Sequence, residues 1–137
     1  EGVTLVAGSD SGIFSNVPGA SLQEELVLMR HGGMSAFDVL KASTANVAKV
    51  LGEQGKSGCL SEGCRADIVL LGCDPLEAIA CTAHVRGVLQ AGRWYGPEEL
   101  AALQASAAKP DAQRTIQNLT EGMAAQGTPL DPAALEL

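Results

Sequence analysis

The pattern of hydrophobic and polar positions predicts a strand near the start of the chain. Residues 4–8 form a short run of small and apolar side chains, which is typical of a strand buried on both faces. The run ends in the polar cluster Ser9-Asp10-Ser11-Gly12, whose residue types favour a turn. We therefore expect a buried strand that ends at a turn containing Asp10.

Two helices are predicted next. Ser21 and Glu24 have the spacing of a capping box, so we expect a helix over residues 21–32, ending at a pair of glycines. Ser35 begins a second helix in the same way, and apolar residues at helical spacing extend it over residues 35–51.

The central part of the chain predicts short strands. Residues 53–65 are rich in glycine, serine and charge, and they indicate a loop with one short strand near residues 59–60. The apolar run 67–71 predicts a strand, with Asp67 capping backbone amides where the strand begins. Residues 74–79 follow with the pattern of a single helical turn.

A hairpin and a helical tail complete the pattern. Residues 84–90 predict a strand, and the turn at Ala91-Gly92 joins it to a strand over residues 93–95. From residue 96 onward the pattern is helical and alanine-rich, with one helix beginning at Pro97 and another capped by Asp111.

Composition narrows the class of protein. The chain has 137 residues, long enough for a core, with 46% hydrophobic and only 3% aromatic residues and a formal net charge of −7. It has no basic patch that would bind a phosphate backbone, so we expect no nucleic-acid partner.

It also has no signal peptide and no apolar run of membrane-spanning length, so we expect no membrane partner and a cytoplasmic location. The first residue is Glu1 rather than Met, which indicates a fragment or a processed product.

Four cysteines lie in the central stretch, at positions 59, 64, 73 and 81. They lack the close Cys-x-x-Cys pairs of structural zinc sites. We therefore expect reduced cysteines that pack as small apolar residues.

Asp10 is the candidate for chemistry. A carboxylate at the carboxyl end of a buried parallel strand lies where barrel enzymes place their catalytic groups. The alternative is a turn aspartate that hydrogen-bonds its own backbone. The local pattern leaves both interpretations open.

The order of motifs over residues 2–95 resembles the C-terminal portion of the amidohydrolase superfamily, in its imidazolonepropionase-like and prolidase-like branch. The motifs that carry this resemblance are Gly8-Ser9-Asp10-Ser11-Gly12 after a buried strand, Gly33-Met34-Ser35 leading into Val39-Leu40-Lys41-Ala42-Ser43-Thr44-Ala45-Asn46-Val47-Ala48, the stretch 58–71 with Ala66-Asp67-Ile68-Val69 followed by Asp74-Pro75-Leu76, and the hairpin 85–95 with Gly92-Arg93.

This resemblance implies an α/β fold in which a (β/α)8 TIM barrel is paired with a small β-sandwich built from both chain ends. Residues 1–52 would then be the last barrel strand, over residues 3–8, and its following helices. Residues 53–95 would supply C-terminal strands of the sandwich, and residues 96–137 would form a helical C-terminal extension.

The resemblance also implies chemistry for Asp10. In this superfamily the aspartate after the last barrel strand binds a divalent metal, usually zinc, and accepts a proton from the water that attacks a C–N bond. Asp10 would thus be metal ligand and general base, acting on a small-molecule amide, cyclic amide or peptide. Ser9 and Ser11 would orient its carboxylate, or they would instead satisfy turn backbone groups.

The other metal ligands of the superfamily are missing from this sequence. It has no His-x-His pair, and we expect neither His31 nor His84 to bind metal. One carboxylate does not hold a catalytic zinc, so we expect this polypeptide to be inactive alone and to need a missing N-terminal segment. The alternative is a truncated, non-catalytic module with a structural or interaction role, and we expect such a chain to self-associate as a homo-oligomer or to be partly molten.

Overall fold

The computed structural model describes residues 2–11, 17–107 and 112–128. The chain divides into two compact units, residues 1–100 and 101–137. The elements in chain order are α1 (Ala20–His31), α2 (Ala36–Ala42), α3 (Ala45–Val50), β1 (Ile68–Leu71), a 3₁₀ helix (Ile79–Ala83), β2 (Val85–Gln90), β3 (Arg93–Tyr95), α4 (Pro97–Ala107) and α5 (Ala112–Ala125).

The first predicted strand, residues 3–8, belongs to no sheet in the described part of the chain. A strand exists only through pairing with a neighbour, and the sheet that the structure describes is built from later residues. The segment instead contacts the end of α2, where the Ala7 N–H donates to the Ala42 carbonyl at 2.9 Å. Val3, Leu5 and Val6 remain exposed, with Val3 at 80%, whereas Ala7 packs against the core cluster.

Helix α1 is confirmed as an element, but its predicted cap is wrong. The N-cap is Gly19, at φ 88°, two positions before the predicted cap, and Ser21 therefore lies inside the first turn. The Ser21 hydroxyl donates to the Val17 carbonyl at 2.9 Å instead of accepting from a helix N–H. The Ser21 hydroxyl therefore binds the Val17 carbonyl and does not cap the helix in the way that the local sequence pattern had predicted.

The second predicted helix is two helices. Ser35 caps α2 as expected, because its Oγ accepts from the Asp38 N–H at 3.1 Å and donates to the Asp38 carboxylate at 2.6 Å. The helix stops after Ala42, where the hydroxyls of Ser43 and Thr44 bond to the Leu40 carbonyl at 3.0 and 2.6 Å. These side-chain bonds compete with the helical ladder, and α3 begins afresh at Ala45.

The three later strands form one antiparallel sheet in the order β1-β2-β3. Strands β1 and β2 pair in the register Ile68↔Leu89, with an irregularity between Leu70 and Leu71. The predicted hairpin between β2 and β3 is confirmed, and Ala91 and Gly92 have φ values of 49° and 83°, as a tight hairpin turn requires.

The short strand predicted near residues 59–60 is absent from the described sheet. The same loop passes so close to the break between α2 and α3 that a Cβ at Gly58 would lie 2.7 Å from the Thr44 carbonyl oxygen.

Asp67 was predicted to cap backbone amides where β1 begins, but the backbone amide that it binds lies in the hairpin turn. Its carboxylate accepts from the Ala91 N–H at 2.7 Å and pairs with Arg65. The Ala91 hydrogen bond and, after it, the Arg65 guanidinium lower the pKa of Asp67. Both partners favour the ionised form.

A 3₁₀ helix connects the sheet to α1. Asp74 caps a turn by accepting from the Leu76 N–H at 2.8 Å, and the unpredicted 3₁₀ helix over Ile79–Ala83 follows. Ile79 packs with Leu26 and Val39 in the core cluster. The helices and the sheet are thereby joined into one unit.

The cysteines are not reduced, which corrects the prediction made for them. Cys59 pairs with Cys64 and Cys73 pairs with Cys81, with Cα–Cα separations of 6.1 and 5.7 Å, within the range that disulfides span. Sequence spacing alone does not reveal which sulfurs meet, because their approach depends on the path of the intervening loop.

The helices predicted after residue 96 are confirmed over Pro97–Ala107 and Ala112–Ala125. The predicted cap Asp111 lies outside the described residues. None of the helices in the described ranges combines the length and apolarity that crossing a bilayer requires.

Candidate functional site

Asp10 lies at the end of the N-terminal segment in a left-handed backbone conformation, with φ 49°, and its side chain is exposed. Few non-glycine residues adopt this conformation, and Asp and Asn tolerate it best. The turn predicted at this point is therefore present. Backbone outliers of this kind often occur where function constrains the chain.

The segment that leads to Asp10 is fixed by α2 and α3. The Asn46 side-chain amide donates to the Leu5 carbonyl at 2.8 Å, and the Lys49 ammonium lies 3.3 Å from the Thr4 hydroxyl. Together with the Ala7–Ala42 backbone bond, these contacts attach residues 4–7 to the two helices. The position of Asp10 thus depends on side chains more than thirty residues away.

Three serine hydroxyls meet beside the Asp10 turn. Ser9 Oγ lies 2.7 Å from Ser11 Oγ, and Ser11 Oγ lies 2.8 Å from Ser21 Oγ. Ser21 Oγ in turn lies 3.1 Å from Ser9 Oγ, which closes a triangle. Sequence reasoning singled out Ser9 and Ser11 but missed Ser21, because the capping-box pattern assigned it to the helix.

The described residues do not form a complete metal centre around Asp10. A catalytic zinc takes about three protein ligands. Within the described ranges, the group of three potential ligands lies elsewhere, at Cys73, Cys81 and His84. His31 lines a cavity of about 430 Å³ beside α1 and, among the described residues, belongs to no such group.

Two larger clefts lie in the same unit. One of about 490 Å³ borders residues 2–5 together with Lys41 and Lys49. The other, about 630 Å³ and mostly apolar, lies between α1, α2 and the sheet, and its walls include Leu26, Leu40 and Ile68. Asp10 lines neither of them.

Comparison with known proteins identifies the family. The sequence model of the amidohydrolase family matches residues 1–113, and the chain belongs to that family. The resemblance to imidazolonepropionase and prolidase-like proteins is confirmed.

The relatives differ in their names but share this region. The chain is 38% identical over 97 residues to an ochratoxinase from Aspergillus niger, covering 69% of this chain and 19% of the relative. It is 43% identical over 68 residues to an imidazolonepropionase from Rubrobacter xylanophilus, covering 47% of this chain and 16% of the relative. The crystal structure of a putative prolidase from Bifidobacterium longum superposes with a TM-score of 0.62 at 30% identity, covering 78% of this chain and 28% of that one.

The matched region is a minor part of each relative. This chain spans about a fifth of the length of the ochratoxinase that it matches (19%). The mixture of helices and strands in the described residues fits an α/β segment of the amidohydrolase fold.

Proposed function

We propose that this chain is the C-terminal part of a metal-dependent hydrolase that cleaves C–N bonds in small-molecule amides, cyclic amides or peptides. The observation that carries the proposal is Asp10, held in a left-handed turn at the end of a segment that α2 and α3 anchor. The family match over residues 1–113 supports the reaction class. The names of the relatives, an ochratoxinase, an imidazolonepropionase and a prolidase, support small molecules or peptides as substrates.

Exposure of the N-terminal segment supports a barrel. Val3, Leu5 and Val6 are at least 44% exposed, although their side chains are suited to a buried strand. In our proposal residues 3–8 pair with neighbouring strands of a (β/α)8 barrel in the complete protein, and residues 53–95, which include β1 to β3, belong to a small β-sandwich. Residues 96–137 extend beyond it as helices.

In the complete protein, we assign Asp10 as metal ligand and general base, with zinc as the metal. Ser9 and Ser11 would steady the turn from which its carboxylate projects, through their mutual hydrogen bond and the Ser21 hydroxyl. The described residues contribute one ligand to such a centre and do not fit a complete one. The 137-residue chain alone is therefore expected to be inactive, and its cytoplasmic location stays a prediction.

Hydrolysis by the full product of the gene tests the assignment. Asn tolerates the left-handed conformation as Asp does, so Asp10→Asn removes the charge without straining the turn. Asp74→Asn is the matched control, because Asn also caps turns well. We expect turnover of an amide or dipeptide panel to be lost in Asp10→Asn and retained in Asp74→Asn. Undiminished turnover in Asp10→Asn would remove Asp10 from the mechanism.

A second candidate is a non-catalytic module that self-associates. The exposed apolar residues of β1, including Val69 and Leu70 at 54% and 55%, favour it, since β1 lies at the end of the strand order. Sedimentation of the purified chain as an oligomer, together with a full gene product that lacks hydrolytic activity, would support this role over catalysis. A monomeric chain with a single cooperative melt would exclude it.

A further inference from the structure

Two cysteines and a histidine converge where the sheet meets the 3₁₀ helix. Cys73 follows β1, Cys81 lies within the 3₁₀ helix, and His84 comes directly after it. One donor atom of each lies within 4.8 Å of the other two, and Cys73 Sγ is 3.2 Å from His84 Nδ1. None of these residues belongs to the proposed Asp10 site.

The backbone holds this cluster together independently of the disulfide. The His84 N–H donates to the Cys81 carbonyl at 2.9 Å, which closes the 3₁₀ turn. The Gly72 N–H donates to the His84 carbonyl at 2.8 Å and places Cys73 beside the imidazole. Cys81 is only 2% exposed, and its neighbour Ile79 belongs to the core. The three side chains therefore remain close when the S–S bond is broken.

We propose that reduction of the Cys73–Cys81 disulfide creates a binding site for a thiolate-preferring divalent cation such as Zn²⁺, formed by Cys73, Cys81 and His84. Thiolate and imidazole are the ligands that zinc prefers. Tetrahedral zinc with Zn–S bonds of about 2.3 Å holds two sulfurs roughly 3.8 Å apart. A Cα–Cα separation of 5.7 Å accommodates that spacing after the disulfide opens.

An external dithiol is the reductant that opens the Cys73–Cys81 disulfide. The dithiol gives two electrons and two protons to the S–S bond and becomes a disulfide, leaving two protein thiols. The cation then takes both sulfurs as thiolates, and the two thiol protons go to solvent. Cys73 and His84 are exposed, so reductant and cation can reach the cluster, and water would supply the fourth ligand.

The cluster differs from the other cysteine pair in the chain. Cys59 and Cys64 also form a disulfide, yet in the described ranges they belong to no group of three potential metal ligands. Likewise His31 has no such group around it in the part of the chain that the structure describes. These residues supply matched controls of the same chemical types.

Cobalt titration of the full 137-residue chain tests the proposal. Co²⁺ bound by thiolates gives a charge-transfer absorption in the near ultraviolet, and Zn²⁺ removes that absorption by displacing the cobalt. We expect one equivalent to bind the chain after dithiol reduction and removal of the reductant, and no thiolate absorption in the oxidised chain. Cys73→Ser and His84→Gln should weaken cation binding on the order of tenfold or more, whereas Cys59→Ser and His31→Gln should leave it unchanged.

Three results would overturn the proposal. They are equal absorption in the oxidised and reduced chains, affinity unchanged by Cys73→Ser and His84→Gln, and a loss in Cys59→Ser as large as that in Cys73→Ser. Both test positions are exposed, so the variants should fold, and circular dichroism of each one verifies this.

Discussion

The side-chain amide of Asn46 donates to the backbone carbonyl of Leu5 at 2.8 Å, across 41 positions of sequence. This bond connects the start of α3 to the segment that ends in Asp10. Asn46 belongs to the helix motif by which the sequence resembles amidohydrolases, and the structure gives that residue a physical role. Asparagine is a poor helix former, so its presence near the start of α3 disfavours the helix slightly. Its hydrogen bond to Leu5 anchors the N-terminal segment.

Asn46→Ala should loosen the N-terminal segment. The loss of one hydrogen bond to a carbonyl costs about 1 kcal/mol of unfolding free energy, and amide hydrogens of residues 2–11 should exchange faster. Hydrogen exchange followed by mass spectrometry measures both effects. Asn118→Ala, an exposed asparagine on α5, is the control and should leave that segment unchanged. Equal exchange in the two variants would contradict the anchoring role of Asn46.

Gly58→Ala should destabilise the chain more than Gly63→Ala. Both glycines have positive φ, 64° and 86°, so each alanine pays roughly 1–2 kcal/mol for the backbone conformation. Only at Gly58 would the new Cβ also meet the Thr44 backbone, at 2.7 Å from its oxygen, whereas Gly63 has open space. That clash should add about 1–3 kcal/mol. Urea denaturation measures the free energy of unfolding of both variants. Equal losses of free energy would contradict the clash, because they would show that the loop around Gly58 shifts to accommodate the new Cβ.

Acid should weaken the hairpin attachment through Asp67. Its folded-state pKa is lowered, first by the Ala91 N–H and then by Arg65, so its stabilising contribution is present above the unfolded pKa of about 4 and is lost as the pH falls through the folded value. Melting temperatures between pH 6 and pH 2 should therefore fall less steeply for Asp67→Asn than for the unmodified chain. Glu24→Gln, an exposed carboxyl on α1, serves as control. Parallel profiles for Asp67→Asn and the unmodified chain would contradict this role.

The two serines that follow the same sequence pattern should respond differently to substitution. Ser35→Ala removes a helix cap and should cost about 1 kcal/mol of unfolding free energy. Ser21→Ala removes no cap, but it opens the hydroxyl triangle with Ser9 and Ser11 and should loosen the Asp10 turn. Hydrogen exchange at residues 9–11 distinguishes these effects. Faster exchange there in Ser35→Ala than in Ser21→Ala would contradict the assignment.

Features set by neighbouring residues were predictable from the sequence. The Ser35 cap and the Ala91-Gly92 hairpin each depend on residue types at fixed local spacing. The Asp10 turn was predictable for the same reason, since a polar cluster followed an apolar run. The role of Asp10 in chemistry came from family resemblance and stays a prediction.

Features set by distant residues were missed. The strand over residues 3–8 needs a neighbouring strand, and no local pattern states whether one is present. The Cys73–Cys81 bond depends on the loop that carries Cys81 into the core. Ser21 was assigned to a cap because the pattern does not reveal that Ser11 lies 2.8 Å from its hydroxyl.

Metal content tests most directly whether Asp10 belongs to a metal centre. It is measured without reductant, so that the Cys73–Cys81 disulfide stays closed. The full product of the gene should retain at least one divalent metal after dialysis, Asp10→Asn should lose most of it, and the 137-residue chain alone should hold none. A full gene product with the same metal content in Asp10→Asn as in the unmodified protein would contradict the placing of Asp10 in a metal centre.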